Sequence, residues 1–267
     1  MKSAVIMAGG KSSRMRSGEQ ASHKALVPVL GIPLLERNIF YLLQAGIECI
    51  TVVSNSTESA IIEFVNCEGQ ALAKSANAFI ECHLEQHPLG TIGVVQEILA
   101  ESKETLVIVN VDNLCSIDPN KLLDFHHRTN AALTVAVHTE SFRIPFGQVE
   151  IDSDRILRYM EKPSIPVEIS SGMYVVGLPC KKHIPKATRC DVPELIHTLV
   201  DSGQRVSAFR HSCQWIDVND RESVAKAETL ISKCEQNGEL FDLGVLNVAQ
   251  FAQRKMRTGF YSCFDAN

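Results

Sequence analysis

Apolar, β-branched runs alternate along the chain with stretches of helical periodicity, the pattern of a mostly parallel sheet flanked by helices. A first strand near 2–7 ends in Ala8-Gly9-Gly10 and is followed by a long polar loop over 11–25. Pro33-Leu34-Leu35-Glu36 then opens a helix that Gly46 closes, with proline in its first turn and glycine past its last. The run ECITVVS (48–54) predicts a second strand and TESAIIEFV a helix, while TLVIVNV (105–111) reads as a strand buried on both faces. SIDPNKLLDFHHRT predicts another helix and AALTVAV (131–137) another strand. After 140 the rhythm changes: FGQVEIDSDRILRYME has the alternation of a hairpin with a Ser-Asp turn, and SSGMYVVG that of a further strand. This middle part is expected to be an antiparallel, substrate-facing extension. DVPELIHTLVDSG reads as a helix closed by Gly203, RVSAF and CQWIDV as short strands, and Asn219 with Glu222 as a capping box. Val224, Ala227, Ile231 and Cys234 give the following helix one apolar face. Domain boundaries are set at 1–238 for the main unit and 239–267 for a helical tail.

Composition narrows the class without changing this picture. A hydrophobic fraction of 45% and a charged fraction of 21% over 267 residues are those of an ordinary globular protein. The opening MKSAVIMAGG is too briefly apolar for a secretory leader, and no run reaches the roughly 18 apolar residues of a membrane helix. A cytoplasmic protein with no membrane partner is therefore expected. The nine cysteines are odd in number and scattered, which argues for reduced core residues over a disulfide framework. His83 with His87, and His126 with His127, lack a third ligand at metal-site spacing. The net charge of −5 argues against nucleic acid, but residues 1–34 hold five basic side chains and one acidic one. A local cationic cluster on an acidic chain suits a small polyanion.

Five places can carry chemistry. Gly9 and Gly10, directly after a buried strand, let backbone N–H groups approach phosphate, and Lys11, Ser12, Ser13 and Arg14 add charge and donors. This is neither the G-x-G-x-x-G fingerprint nor the P-loop pattern, so a Rossmann dehydrogenase and a P-loop NTPase are disfavoured. Lys24 leads an apolar segment back to the core. Asp112 ends a buried strand, where open α/β sheets bind ligands. Glu161-Lys162-Pro163 is a charged pair stiffened by proline, and Asp217 ends the short strand after Trp215.

The ordered set resembles the sugar-1-phosphate nucleotidylyltransferases. That family's A-G-G-x-G-T-R-[LM] is similar to Ala8-Gly9-Gly10-Lys11-Ser12-Ser13-Arg14-Met15, and its proline–lysine with V-x-G-x-P to His23-Lys24 and Val29-Leu30-Gly31-Ile32-Pro33. Gly90-Thr91-Ile92-Gly93, Val111-Asp112, Glu161-Lys162-Pro163, Ser171-Gly172-Met173-Tyr174 and Trp215-Ile216-Asp217 follow in the family's order. The resemblance spans 2–235 and implies a Rossmann-like three-layer α/β sandwich with a mostly parallel mixed sheet. By carry-over it implies that Ala8, Gly9, Gly10, Lys11, Ser12, Ser13 and Arg14 hold a triphosphate, while Lys24 and Lys162 neutralise phosphate. Gln86 and Gly90 would face the base, and Gly147, Glu161 and Gly172 the sugar. Asp112 and Asp217 would bind Mg²⁺. The implied reaction joins a nucleoside triphosphate, with a lean to GTP from the loop's flavour, to a sugar 1-phosphate. A homo-oligomer is compatible with the sequence.

The departures are Ser12-Ser13 for G-T, His23 for proline, Val111 for glycine, and Asp217-Val218-Asn219-Asp220 where the family continues D-[IV]-G-T. They leave open a non-sugar phosphate acceptor and a silent nucleotide- or sugar-nucleotide-binding regulator. A glycosyltransferase of the same fold would show D-x-D where this chain has Asn110-Val111-Asp112.

Overall fold

The computed structural model describes residues 1–9 and 23–236, with side chains to 233. Its spine is a seven-stranded sheet built from β1 (Ser3–Met7), β4 (Cys49–Asn55), β5 (Phe79–Glu85), β6 (Leu106–Asn110), β8 (Leu133–Arg143), β11 (Ser164–Val176) and β12 (Val206–Arg210). Their order across the sheet is β12-β8-β11-β6-β1-β4-β5. β1 runs parallel to β4 and β6, β4 to β5, and β12 to β8, while β11 is antiparallel to both β6 and β8. The mostly parallel mixed sheet is thus as expected. Two-stranded ribbons complete the set: β2 (Pro28–Val29) with β3 (Ile32–Pro33), β7 (Asn113–Cys115) with β13 (Trp215–Asp217), and β9 (Gln148–Asp152) with β10 (Arg155–Met160).

Strand alternation explains the three layers. On β1, Ala4 and Ile6 enter one core while Val5 enters the other, and on β6 Val107 and Val109 face opposite to Leu106 and Ile108. The first core is closed by α1 (Leu34–Gln44), α2 (Ser59–Phe64), α3 (Gln70–Ser75), α5 (Pro119–Thr129) and α7 (Arg221–Gln236). The second is closed by α4 (Val95–Ser102) and α6 (Val192–Asp201). α1 begins after Pro33 and ends at Gln44, two residues before Gly46, whose φ of +73° suits a residue without Cβ. A π-helical turn, Val65–Gly69, joins α2 to α3.

Three local expectations change. The segment before residue 105 contains β5 and α4, which the pattern does not announce. β8 and β11 run past the sheet as a ribbon, joined by Ile144 N–H donating to the Pro163 carbonyl and capped by the predicted β9–β10 hairpin. α7 is capped by Asp220 and Ser223, not Asn219 and Glu222: Ser223 N–H donates to Asp220 Oδ1 at 2.7 Å, and Asp220 N–H to Ser223 Oγ at 2.9 Å. Glu222 pairs with Lys226 one turn on at 2.7 Å. The tail at 239–267 lies outside the described residues. Among those described, no helix is long and apolar enough to cross a membrane.

Candidate active site

The carboxyl ends of β1, β4, β5 and β6 open on a cleft of about 1040 Å³ lined by Ala8, Gly9, Lys24, Glu85, Gly90 and Asp112, among others. Each is placed by local structure. His23 caps a short 3₁₀ turn, Lys24–Leu26, its Nδ1 accepting the Ala25 N–H at 3.1 Å. Histidine thereby gives the backbone a side-chain cap at the position where the family has proline, and Lys24 is held on that turn. Val111 N–H donates to the Met7 carbonyl, and the Val111 carbonyl accepts from Asn38 Nδ2 at 3.0 Å. Val111 is buried, so a side chain is accommodated where the resemblance has glycine.

Lys24 Nζ lies 2.5 Å from Asp112 Oδ2 and also donates to Asn219 Oδ1. The Asn219 amide in turn donates to Asp217 Oδ2. Val218 N–H donates to the Asp112 carbonyl at 2.9 Å, locking the two carboxylate-bearing segments together. Two acids, one ammonium and one amide therefore form a single polar chain that reaches the cleft at Lys24 and Asp112. The sequence pattern predicts Asn219 as a helix cap. Its neighbour Asp220 takes that task and frees the amide for the site.

Glu85 ends β5 and is buried, with Oε1 accepting the Leu89 N–H at 3.2 Å. Burial raises its carboxyl pKa, with the Leu89 N–H and His83 opposing. Its Oε2 stands 2.9 Å from where a Cβ on Gly9 would sit, so a side chain at position 9 would make this carboxylate shift. Gln86, the sequence candidate for the base, is exposed one residue past the strand end. Gly90 takes φ +81°, and a Cβ there would meet the Cys190 carbonyl at 2.6 Å and Asp191 Oδ1 at 2.7 Å. Asp191 accepts from Thr91 N–H at 2.8 Å and from the Arg189 guanidinium, which holds its carboxyl below the usual range.

Of the remaining candidates, Gly172 sits on β11 within the sheet and the others on the ribbon. Gly172 (φ +68°) lies against Asn110 and Asn113, the residues flanking Val111-Asp112. Gly147 packs under Tyr159, whose hydroxyl donates to Glu161 Oε2 at 3.0 Å. Lys162 is half-exposed, 3.8 Å from Glu161. Gly10, Lys11, Ser12, Ser13 and Arg14 lie outside the described residues. Among those described, no three acids, histidines or cysteines gather into a metal cluster. His83 instead pairs with Glu97 at 3.5 Å, and His126 with Thr134 at 2.9 Å.

Comparison with known proteins supplies the family. A mannose-1-phosphate guanylyltransferase of Mycobacterium tuberculosis is 28% identical over 229 residues, which make up 84% of this chain and 62% of that protein. A UTP–glucose-1-phosphate uridylyltransferase of Synechocystis is 28% identical over 232 residues, 80% of this chain and 59% of that one. The chain thus spans about 60% of the length of the curated relatives it matches. Among solved structures, HddC from Yersinia pseudotuberculosis complexed with GMP-PN superposes with a TM-score of 0.66 at 22% identity, covering 86% of this chain and all of that one. A family model described as nucleotidyl transferase matches residues 3–233. This chain belongs to the nucleotidyl transferase family.

Proposed function

We propose that the chain transfers a nucleoside monophosphate from a nucleoside triphosphate, GTP by preference, to a sugar 1-phosphate, releasing pyrophosphate with the help of Mg²⁺. The observation that carries this reading is the Lys24–Asp112–Asn219–Asp217 chain, which reaches a cleft large enough for a nucleotide at Lys24 and Asp112. An acceptor phosphate oxygen is already anionic, so no general base is needed; it bonds to the α-phosphorus as the bond to the leaving pyrophosphate breaks. The obstacle is bringing two polyanions together, which positioning and fixed charge address. Lys24, held on its capped turn, offers an oriented ammonium for the α-phosphate. Lys162 offers a second cation from the ribbon for the sugar phosphate.

The donor chemistry of Asp112 and Asp217 fits Mg²⁺, a hard cation usually held by one or two carboxylates with substrate phosphates and water completing its shell. When bound there, the ion would screen phosphate charge and orient the leaving group. Asn219 and Lys24 then serve as the carboxylates' protein-side partners.

Glu85 supports guanine. A carboxylate only accepts hydrogen bonds, and guanine presents two adjacent donors on one edge, N1–H and the 2-amino group. Uracil and thymine present one N–H between two carbonyl oxygens, which a carboxylate repels. A site built for a donor pair rejects bases lacking it by large factors. Glu85→Gln is expected to lower kcat/KM for GTP on the order of a hundredfold and to raise it for UTP or dTTP.

The test is pyrophosphate release with Mg²⁺, crossing the common triphosphates against sugar 1-phosphates. Release that requires both substrates and is fastest with GTP is the expected result. No release with any pair, alongside tight nucleotide binding by calorimetry, would move the chain to the regulator reading.

A further inference from the structure

A buried polar cluster behind β11 plays no part in the reaction steps above. Ser171 is fully buried, and its Oγ lies 2.8 Å from His138 Nδ1 and 2.7 Å from His211 Nε2. Its carbonyl accepts from Asn113 Nδ2 at 3.0 Å and from the Trp215 indole N–H at 2.9 Å. The His138 ring rests against Trp215, with centroids 4.4 Å apart, and its Nε2 faces Glu140 Oε1 at 3.3 Å. A hydroxyl has one proton to give, so one imidazole accepts from Ser171 and the other donates to it. Burial, aided by His138, pushes His211 down to about 4, which keeps that ring neutral at pH 7.

The position of this cluster gives it leverage. Pairing of β11 with β8 stops at Ser170 and resumes at Tyr174. The break turns the Ser171 carbonyl toward side-chain donors, and Gly172 follows in the left-handed region. A Cβ on Gly172 would lie 1.7 Å from Asn113 Nδ2, so the glycine allows that amide to reach Ser171. Asn113 directly follows Asp112, and Trp215 opens the strand that ends in Asp217. The two strands pair with each other, Asp217 opposite Asn113. One residue therefore ties both acid-bearing segments to the substrate-facing strand.

Resting on the proposed reaction, we propose that Ser171 is a positioning residue: through Asn113 and Trp215 it sets the spacing of Asp112 and Asp217, and His138 and His211 fix Ser171 itself. Loss of the hydroxyl would leave the buried His138 Nδ1 and the part-buried His211 Nε2 without their partner and release the carbonyl that the two strands share.

Trp215 is the only tryptophan in the chain, so its fluorescence reads the cluster directly. Ser171→Ala is expected to red-shift the emission and to lower kcat about tenfold to thirtyfold, on the scale of one lost buried hydrogen bond, with KM for the triphosphate within about twofold. His138→Leu should behave alike, whereas His138→Asn, which keeps a polar atom near the Nδ1 position, should retain most of kcat. A folded Ser171→Ala with kcat within about twofold of the parent overturns the proposal, whatever the emission does. Should Ser171→Ala not fold, the two His138 variants decide it, and equal loss of kcat in both overturns it. If the parent releases no pyrophosphate with any pair, the reaction reading fails separately. The positioning claim is then read from Mn²⁺ calorimetry: affinity about fivefold weaker in Ser171→Ala upholds it, and unchanged affinity overturns it.

Discussion

Lys24 and Lys162 are both lysines assigned by resemblance to phosphate, and their settings are opposite. Lys24 sits in the body of the sheet, its side chain 16% exposed, with Asp112 at 2.5 Å and Asn219 on its other flank. Lys162 sits at the base of the ribbon, 50% exposed, with Glu161 at 3.8 Å, and both strands of the β9–β10 hairpin lie almost wholly in solvent. A charge pair near water is strongly screened and contributes little, whereas a partly desolvated and oriented one contributes several times more. On the proposed reaction, the comparison implies a division of labour: the body would hold the groups that must not move during the chemical step, and the ribbon groups that adapt to the sugar.

The sharpest way to break that division is to remove an acid from the body. Asp112→Ala and Asp217→Ala are each expected to cost about 3–4 kcal/mol of transition-state stabilisation, a hundredfold to thousandfold in kcat, with the far-UV spectrum preserved. Steady-state pyrophosphate release checks this. Near-parental turnover in either would remove the acid pair from the chemistry and leave the body with no special role.

Two glycines sharpen the same contrast in stability. Gly172→Ala must place a Cβ 1.7 Å from Asn113 Nδ2 at φ +68°, against a buried amide that is already committed. A loss of about 2–3 kcal/mol in urea unfolding is expected. Gly147→Ala meets the Tyr159 hydroxyl at 2.1 Å, but that ring is 61% exposed and can swing aside. Its expected cost is below about 0.5 kcal/mol. Comparable losses would mean that the ribbon is as rigid as the body. Lys162→Ala comes next in size: KM for the sugar phosphate should rise about fivefold to tenfold, with kcat within about threefold, as for loss of a screened contact. A fall in kcat to match Asp112→Ala would put Lys162 in the chemical step.

The same contrast governs how much was legible in the sequence. The body strands are runs buried on both faces, and the expectations at 2–7, 48–54 and 105–111 meet β1, β4 and β6 within a residue or two. β5 was silent because it is an edge strand: FIECHLE alternates a few apolar residues with charge and has no continuous run. α4 was silent because eight residues give too few turns to establish a period. At the site, motif order singles out Lys24, Asp112 and Asp217, which the fold brings together, but side-chain contacts turn on single-residue offsets that no motif encodes. The cap falls on Asp220, so Asn219 joins the acids; β5 ends on Glu85, so the carboxylate enters the cleft and Gln86 does not. A strand-phase count from a correctly placed β5 would have found Glu85. The Ser171 cluster joins β8, β11 and the segment after β12, and only the folded sheet order brings His138 and His211 to one hydroxyl.

A further expected effect is a pH dependence that belongs to the body alone. His126 is buried between α5 and β8, its Nδ1 2.9 Å from Thr134 Oγ1. Burial, with His127 adding repulsion, pushes it down to about 4 from 6.5. Below pH 6.5 the unfolded chain takes up a proton that the folded chain refuses until about pH 4, so the unfolded state is favoured as the pH falls through that window. His211 is shifted the same way and to a similar value. Stability should therefore be full well above pH 6.5 and fall between pH 7 and pH 5 by about 2 kcal/mol for buried His126, and by less for His211, which is only part-buried and better screened by water. Urea midpoints across that range measure the slope, and His126→Gln should flatten it by at least half. The ribbon offers no counterpart: Glu168 is held low by Arg210 and titrates beneath this window. An unchanged slope in His126→Gln would relocate the proton uptake to other groups and end the claim that the buried body, rather than the exposed ribbon, sets the acid limit of the fold.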